Sequence, residues 1–358
     1  MYLVVDCGTT FLKAALADSN GCVRTAPVRI RINSEIPSTW VQALEDTIGV
    51  LDPSASLIDC IMVTGCGPCA VPVFADGSSP LAVTWDSAGQ KAASPSFIPR
   101  ILALRDRHPD IWEKAHAILG TPEYLSFVLT GVACTCMPAE GYEHFYWDEQ
   151  SLEENGIPSG LLPPFTAPGQ LLGKWRGIPV LAPCPDYMPA IIGSGAVHPG
   201  MLCLRTGTGD GINLCCAERI ERRGFLTSRH PDGVHWNLSR IVPDTGLAVM
   251  KAVGDRPWDE AFSDKAVLEV AKSAFRRTAE AVFELKDIGI NEIRLSGGMS
   301  DNEVMNSLRA EALGMRLSSL EGEETGLQGL AILAFCAVTG QDIVEAADRL
   351  VKVKYEVV

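Results

Sequence analysis

The segment that most constrains the fold is the first fourteen residues, MYLVVDCGTTFLKA, which join two apolar stretches through a glycine turn. The β-forming residues before and after the turn predict two strands, and Gly8 permits the tight turn between them. Asp6 stands where the first strand ends, and Thr9 and Thr10 add hydroxyl groups to the turn. Backbone amides and hydroxyls of this kind suit a phosphate, and a carboxylate suits its Mg²⁺ ion. A plain β-hairpin explains the same segment equally well.

The composition limits the organisation and the partners of the chain. A length of 358 residues favours two domains, because single cores stop growing near ~250–300 residues. Hydrophobic residues make up 47% of the chain, so a large core is expected. The net charge of −14 gives no electrostatic reason to bind nucleic acid or an anionic membrane, so neither is expected as a partner.

The location predicted from the sequence is the cytoplasm. The N-terminus lacks the basic region of a signal peptide, and no apolar run approaches the ~20 residues that span a bilayer. The 12 cysteines are scattered among hydrophobic segments, as reduced core thiols are.

The hydrophobic pattern predicts an α/β chain with a domain boundary near residue 198. In the first part, strands are expected at 2–6, 11–18, 22–32, 58–63 and 71–74, and helices at 38–51, 98–108, 111–117 and 123–129, whereas 131–180 is expected to be irregular. In the second part, strands are expected at 201–205, 211–216 and 292–295, a hairpin region within 218–245, and helices at 263–286, 303–312, 326–339 and 343–350. A weak duplication places a strand–turn–strand element at both 3–16 and 201–216.

Two further loops have the composition of the first turn. The segment TGTGDG (206–211) lies between two predicted strands, and SGGMS (296–300) lies between a strand and a helix. Their glycines allow a ligand to approach the backbone closely. The first turn and the 206–211 loop are expected to be two phosphate loops that face each other across a cleft.

In its motifs and their order, the chain resembles the FGGY carbohydrate kinases of the actin/hexokinase/Hsp70 superfamily. Six segments resemble family motifs, namely DCGTTFLKAALADSNG, IMVTGCGPCAVPVFADGSSPLAVTW, RHPDIWEKAHAILGTPEYLSFVLTG, IPVLAPCPDYMPAIIGSGAVHPG, LRTGTGDG and IRLSGGMSDNEVMNSLRAEALGMRL. The resemblance implies a two-lobed actin-like ATPase (ribonuclease H-like) fold in which each lobe has a mixed sheet flanked by helices. The lobes would comprise residues 1–198 and a shortened 199–358.

The resemblance also implies the cofactors ATP and Mg²⁺ and a role for each motif residue. Asp186 would be the general base, and Asp6 and Asp186 would be the metal-binding residues. The residues implied to bind the nucleotide are Asp6, Gly8, Thr9, Thr10, Lys13, Gly207, Thr208, Gly209, Gly297, Gly298, Ser300 and Gly329. From the residues alone, the favoured interpretation of Asp186 is a surface turn aspartate between Pro185 and Tyr187, and the resemblance reverses it.

The substrate segments depart from the family pattern. After the strand expected at 58–63, the family usually has Met-His-Gly or Gln-x-x-Gly, whereas this chain has Thr-Gly-Cys-Gly-Pro-Cys (64–69). Ser87 and Gly89 occupy the positions of the family's aspartate and arginine clamp. The candidate substrate residues are therefore Cys66, Gly67, Trp85, Asp86 and Tyr142, with Glu140, Glu143 and His144 as further polar candidates.

Cysteine and histidine patterns offer competing interpretations. The segment Cys66-Gly67-Pro68-Cys69 matches the redox motif of thioredoxin, but strand-like residues follow it where that motif needs a helix. The pairs Cys134/Cys136 and Cys215/Cys216 do not have the spacing of a structural zinc pair, and the six histidines show no ligand spacing. Neither redox chemistry nor a zinc site is expected.

The function predicted from the sequence is ATP-dependent phosphorylation of a sugar or polyol hydroxyl. Two alternatives remain open, namely a nucleotide-binding relative without kinase activity and a kinase or ATPase for a non-sugar substrate. A homodimer is also left open.

Overall fold

The computed structural model describes residues 1–85, 97–322 and 324–357. Its contacts divide the chain into two compact units, of which unit 1 comprises Met1–Pro189 with Leu330–Gln341 and unit 2 comprises Ala190–Gly329 with Asp342–Val358. Within the described residues, no helix combines the length and the apolar character needed to cross a bilayer.

The first part of the chain alternates strands and helices. Its strands are β1 (Tyr2–Cys7), β2 (Phe11–Ala17), β3 (Val28–Arg31), β4 (Cys60–Gly65), β5 (Val71–Val73), β6 (Ala117–Leu119), β7 (Thr135–Cys136), β8 (Phe165–Thr166), β9 (Leu171–Trp175), β10 (Ile178–Leu181) and β11 (Cys184–Pro185). Its helices are α1 (Pro37–Leu51), α2 (Ile98–Arg107), α3 (Pro109–Trp112), α4 (Thr121–Thr130), α5 (Glu149–Asn155) and α6 (Tyr187–Ser194).

The second part begins with strands and ends with helices. Its strands are β12 (Met201–Thr206), β13 (Asp210–Cys216), β14 (Leu226–Arg229), β15 (Trp236–Val242), β16 (Glu292–Ser296), β17 (Leu317–Leu320) and β18 (Val353–Val357). Its helices are α7 (Thr245–Val253), α8 (Trp258–Ala261), α9 (Lys265–Phe283), α10 (Glu303–Leu313), α11 (Thr325–Thr339) and α12 (Ile343–Leu350).

The sheet of unit 1 has the order β3-β2-β1-β4-β10-β9, and β11 also pairs with β4. Strand β1 is antiparallel to β2 and parallel to β4. Leu3 and Val5 pack into a core with side chains of α1 and α4, and Val4 between them is fully buried as well. Burial on both faces is typical of strands with parallel neighbours, which explains the unbroken apolar run at the start of the chain.

The sheet of unit 2 has the order β14-β15-β13-β12-β16-β17-β18. Strand β12 is antiparallel to β13 and parallel to β16, so these three strands repeat the arrangement of β1, β2 and β4. Helix α9 buries one side, which includes Ala279 and Val282, because its apolar residues recur at helical spacing. The duplication predicted at 3–16 and 201–216 is therefore confirmed as a structural repeat.

Some predicted elements are wrong. The expected helix at 111–117 is replaced by the short α3 and by β6, because Ile118 and Leu119 are buried when β6 pairs with β5. The expected strand at 22–32 is limited to β3 and an isolated bridge at Val23. Helix α7 was not predicted.

The segment 131–180, expected to be irregular, contains α5 and the β9–β10 hairpin of the first sheet. Gly173 made β9 resemble a loop, but a Cβ atom there would lie 3.0 Å from the Cβ of Thr130. The glycine therefore permits the close approach of β9 to α4.

Candidate functional site

The carboxyl ends of three strands meet at one edge of the first sheet. Strands β1 and β11 both run parallel to β4, with Asp6 opposite Thr64 and Pro185 opposite Gly65. The hydroxyl of Thr64 donates to the carbonyl oxygen of Cys184 at 2.7 Å. Because Asp186 directly follows β11, Asp6 and Asp186 stand at strand ends on either side of β4, at the carboxyl ends where α/β sheets commonly bind ligands.

The turn between β1 and β2 adjoins this edge. The amide of Gly8 donates to the carbonyl of Phe11 at 3.0 Å and closes the turn. Asp6 and Lys13 are paired directly across the two strands, so their side chains leave the same face of the sheet. Thr9 is half-buried and Thr10 is exposed, so both hydroxyls border solvent. The Lys13 side chain therefore lies on the same face as the Asp6 carboxylate, and the turn beside them carries two hydroxyls.

Protonated thiols surround the two carboxylates. Burial raises the pKa of the Cys184 thiol to about 12, and the charges of Asp186 and Asp6 act in the same direction. The pKa of Cys66 is also raised, first by its hydrogen bond with Cys69, then by burial and by nearby charges that include Asp186. A thiol with a raised pKa is a poor nucleophile, so Cys66 lacks the thiolate that redox chemistry requires.

The candidate substrate residues are distributed around this edge. The amide of Cys66 donates to the carbonyl of Cys7 at 3.0 Å, and Gly67 beside it is exposed. The ring of Tyr142 stacks on Tyr187, the neighbour of Asp186, with centroids 5.1 Å apart. Trp85 is 40% exposed, and Asp86 lies outside the described residues, as do Ser87 and Gly89.

The turn between β12 and β13 is supported by helix α7. The amide of Gly207 donates to the carbonyl of Gly209 at 3.2 Å, and the amide of Leu247 in α7 donates to the carbonyl of Thr208 at 2.9 Å. A Cβ atom on Gly246 would lie 1.9 Å from the carbonyl oxygen of Gly207. The start of α7 therefore packs directly on the loop and leaves Thr208 exposed.

The loop after β16 lies beside the β12–β13 turn. The hydroxyl of Thr206 donates to the carbonyl of Ser296 at 3.1 Å. Gly297 has a φ of +95°, and a Cβ atom there would lie 2.4 Å from the carbonyl oxygen of Thr206. The hydroxyl of Ser300 donates to the carbonyl of Gly297 at 2.7 Å, while Gly298 is exposed. Unit 2 thus brings the predicted second phosphate loop and the predicted nucleoside loop into contact.

Gly329 lies where α11 passes close to α6. A Cβ atom on Gly193 of α6 would lie 1.8 Å from the carbonyl oxygen of Thr325 and 2.9 Å from the amide nitrogen of Gly329. Small residues at this crossing allow the two helix backbones to touch. The hydroxyl of Thr325 is in turn 2.8 Å from that of Ser296, which connects the start of α11 to the nucleoside loop.

A buried network that sequence reasoning missed lies behind the two loops of unit 2. The hydroxyl of Thr278 donates to Asp210 at 2.7 Å, and Arg309 lies 3.6 Å from the other carboxylate oxygen. Arg309 also contacts the side-chain oxygen of Asn306, whose amide group donates to the carbonyl of Ser300 at 2.6 Å. Both charged groups are almost fully buried. The aspartate in the second loop motif was the only sequence signal.

Glu123 is a second residue that sequence reasoning missed. Its carboxylate accepts the amide of Cys136 at 3.1 Å, and a Cβ atom on Gly120 would lie 2.2 Å from its Oε2 atom. Burial raises the pKa of Glu123 to about 7. The proline before it marked the helix start, but nothing in the sequence indicated that the carboxyl group is enclosed.

Comparisons with known proteins agree with this architecture. Residues 265–338 match the C-terminal domain of the FGGY family of carbohydrate kinases. A glycerol kinase of Thermococcus onnurineus (strain NA1) is 24% identical over 306 residues, which are 66% of this chain and 61% of that protein. An L-fuculokinase of Escherichia coli (strain K12) is 21% identical over 70% of this chain and 66% of its own length. The chain therefore spans less than two thirds of these relatives.

Solved structures resemble the whole chain. A ligand-bound xylulose kinase from Lactobacillus acidophilus has a TM-score of 0.81 with 16% identity, covering 100% of this chain and 94% of the other. A Plasmodium falciparum glycerol kinase with ADP has a TM-score of 0.77 with 15% identity and the same coverage. The chain is thus similar to the FGGY carbohydrate kinases over residues 265–338, and its fold is the two-lobed actin-like ATPase fold of these solved kinases.

Proposed function

We propose that the protein transfers the γ-phosphoryl group of ATP to a hydroxyl group of a sugar or polyol, with Asp186 as the general base. The observation that carries the proposal is the pairing of β1 and β11 with β4, which brings Asp6 and Asp186 to strand ends on either side of β4. The similarity to glycerol kinases and an L-fuculokinase supports an alcohol acceptor.

Asp186 accepts the proton of the attacking hydroxyl, and the turn from Gly8 to Lys13 positions the phosphates. Phosphoryl transfer depends mainly on alignment and charge neutralisation, which amides, hydroxyls and one ammonium group supply. The carboxylates of Asp6 and Asp186 are hard oxygen donors and therefore fit Mg²⁺. When bound, the ion neutralises phosphate charge.

The nucleotide binds to loops of both units in this proposal. The β1–β2 turn and the Thr206–Gly211 loop hold phosphate, while Gly297, Gly298 and Ser300 line the nucleoside pocket. The contact between the second and third loops supports this division, since Thr206 is hydrogen-bonded to Ser296. The two lobes of this proposal are residues 1–198 and residues 199–358.

The acceptor is held by Cys66, Gly67, Trp85, Asp86 and Tyr142. Tyr142 offers an aromatic face and a hydroxyl close to Asp186, through its stacking on Tyr187. Aromatic rings of this type pack against sugar C–H groups while their polar ends hydrogen-bond.

The direct test measures ADP release with ATP, Mg²⁺ and a panel of polyols, ketoses and aldoses. With the best acceptor, Asp186→Asn is expected to lower kcat by about 10²–10⁴-fold, because the proton acceptor is lost. ATP binding, measured by calorimetry, should persist in this variant. The matched control is Asp46→Asn, an exposed position on α1, which should keep full activity. Equal activity of Asp186→Asn and wild type would refute the assignment of the base.

The second candidate function is nucleotide binding without transfer. It is favoured by Ser87 and Gly89, which replace the charged clamp of the family pattern. This candidate predicts calorimetric binding of ATP but no ADP release above background with any acceptor.

A third alternative is a kinase for a non-sugar acceptor. It predicts ADP release only with acceptors outside the carbohydrate panel.

A further inference from the structure

A cluster of metal-ligating side chains lies in unit 2 at the turn that joins β14 and β15. The thiol of Cys215 in β13, a carboxylate oxygen of Asp232 and a ring nitrogen of His235 all lie within 4.8 Å of one another. Both units contain proposed phosphate loops, but none of these three residues belongs to them. The proposed phosphate transfer therefore does not explain why these three side chains lie close together.

Asp232 is oriented by the backbone of its own turn. Its Oδ1 atom accepts the amides of Val234 at 2.8 Å and His235 at 2.9 Å. Its Oδ2 atom lies 2.7 Å from Nδ1 of His235 and 3.0 Å from Nδ1 of His230. Only 1% of the Asp232 side chain is exposed. One carboxylate oxygen is thus satisfied by amides, and the other faces two imidazole rings.

His230 holds Asp232 in place from the other side. Its Nε2 atom lies 3.1 Å from the carbonyl oxygen of Ala196, which can only accept, so Nε2 carries a proton. Its Nδ1 atom lies 3.3 Å from the amide of Asp232, which donates to it. Because the lone pair of Nδ1 accepts this amide, His230 positions the Asp232 turn and is not itself a ligand.

We propose that Cys215, Asp232 and His235 bind one zinc-type divalent metal ion, with a water molecule as the fourth ligand. Thiolate, imidazole and carboxylate are the ligands that zinc takes in tetrahedral sites. Binding releases the Cys215 proton to solvent, since the thiolate is the ligand.

The ion has a structural role in this proposal. Its three protein ligands lie outside the proposed phosphate loops, so the ion takes no part in the proposed phosphate transfer. The ligands come from β13 and from the β14–β15 turn, so the ion fastens that turn to the neighbouring strand. Mg²⁺ prefers oxygen ligands and is not expected to replace it.

The test uses the full-length protein, stripped of metal under reducing conditions and titrated with Co²⁺ and then Zn²⁺. We expect one equivalent of Co²⁺ to give the visible bands of tetrahedral cobalt and a near-ultraviolet thiolate charge-transfer band, both removed by Zn²⁺. Cys215→Ser should abolish the charge-transfer band, and His235→Asn should abolish the tetrahedral bands.

Two matched variants control for folding and for the general loss of a cysteine or histidine. Cys216→Ser changes the next residue of β13, and His198→Asn changes an exposed histidine that contacts Asp348 at 2.8 Å. Both should retain the wild-type spectrum. The proposal is overturned if folded wild-type protein binds no cobalt, if bound cobalt lacks the thiolate band, or if that band survives in Cys215→Ser.

Discussion

At the scale of single residues, the most constrained position of the candidate nucleotide site is Gly297. Its φ of +95° is one that L side chains rarely adopt, and its Cα faces the carbonyl oxygen of Thr206. A side chain at this position would therefore disturb both the nucleoside loop and the end of β12. The adjacent Gly298 has open space where a Cβ atom would be.

We therefore expect Gly297→Ala to cost about 1–3 kcal/mol of unfolding free energy and to raise the KM for ATP. Gly298→Ala is the matched control for unfolding, because it adds the same atom without a contact to the protein, and it should change the free energy of unfolding little. Urea unfolding and initial-rate kinetics measure the two effects. Equal effects of the two substitutions on unfolding would show that the close approach of Gly297 to the Thr206 carbonyl does not constrain this position.

Glu123 makes stability depend on pH in the direction opposite to that of a salt-bridged acid. Its pKa of about 7 in the folded protein exceeds the ordinary carboxyl value of 4.5, because burial disfavours the charged form. The folded state thus binds more protons than the unfolded state between these values. The stabilisation from its protonated form is complete below pH 4.5 and is lost as the pH rises through 7.

Glu123→Gln is expected to remove this loss, because the amide is neutral at every pH and can still accept the amide of Cys136. At pH 8 the variant should be more stable than wild type by about 3 kcal/mol, and the difference should shrink towards pH 5. Urea unfolding at both pH values measures it. Glu149→Gln, at an exposed position in α5, should show no such trend, and a constant difference for Glu123→Gln would refute the explanation.

At the scale of elements, the buried pair of Asp210 and Arg309 connects β13 to α10. The pair lies behind the Thr206–Gly211 loop. The guanidinium carbon of Arg309 also lies 4.4 Å from the ring centroid of Phe275 in α9. Removal of one buried partner leaves the other charge without compensation, which typically costs about 3–5 kcal/mol. The pair thus fixes the position of the loop relative to two helices.

A double-mutant cycle tests this connection. Asp210→Asn and Arg309→Met should each destabilise the protein by about 3 kcal/mol or more, and the double variant should lose less than their sum. The control cycle uses the exposed pair of Arg316 and Glu356, 2.8 Å apart, whose coupling should stay below about 1 kcal/mol. Additive effects at Asp210 and Arg309 would show that the pair does not act as a unit.

At the scale of the whole molecule, the sequence predicted best what depends on local patterns. The alternation of strands and helices, the glycine turns and the repeat at 3–16 and 201–216 follow from neighbouring residues, and the structure contains them. The β9–β10 hairpin was missed because its pairing with β4 is non-local and because Gly173 obscured the strand pattern. The contacts of Glu123, Arg309 and Cys215 involve residues far away in the chain. Hydrophobic periodicity describes only neighbouring residues and therefore does not predict such contacts.

The repeated hairpin with its parallel neighbour strand also has an evolutionary consequence. Each unit carries its own copy of the arrangement, and residues 66–89 lie outside both hairpins. That segment can therefore change in sequence while the residues of both glycine turns stay the same. Under the proposed function, a lineage can exchange one acceptor for another while it inherits the same loops for the phosphate donor.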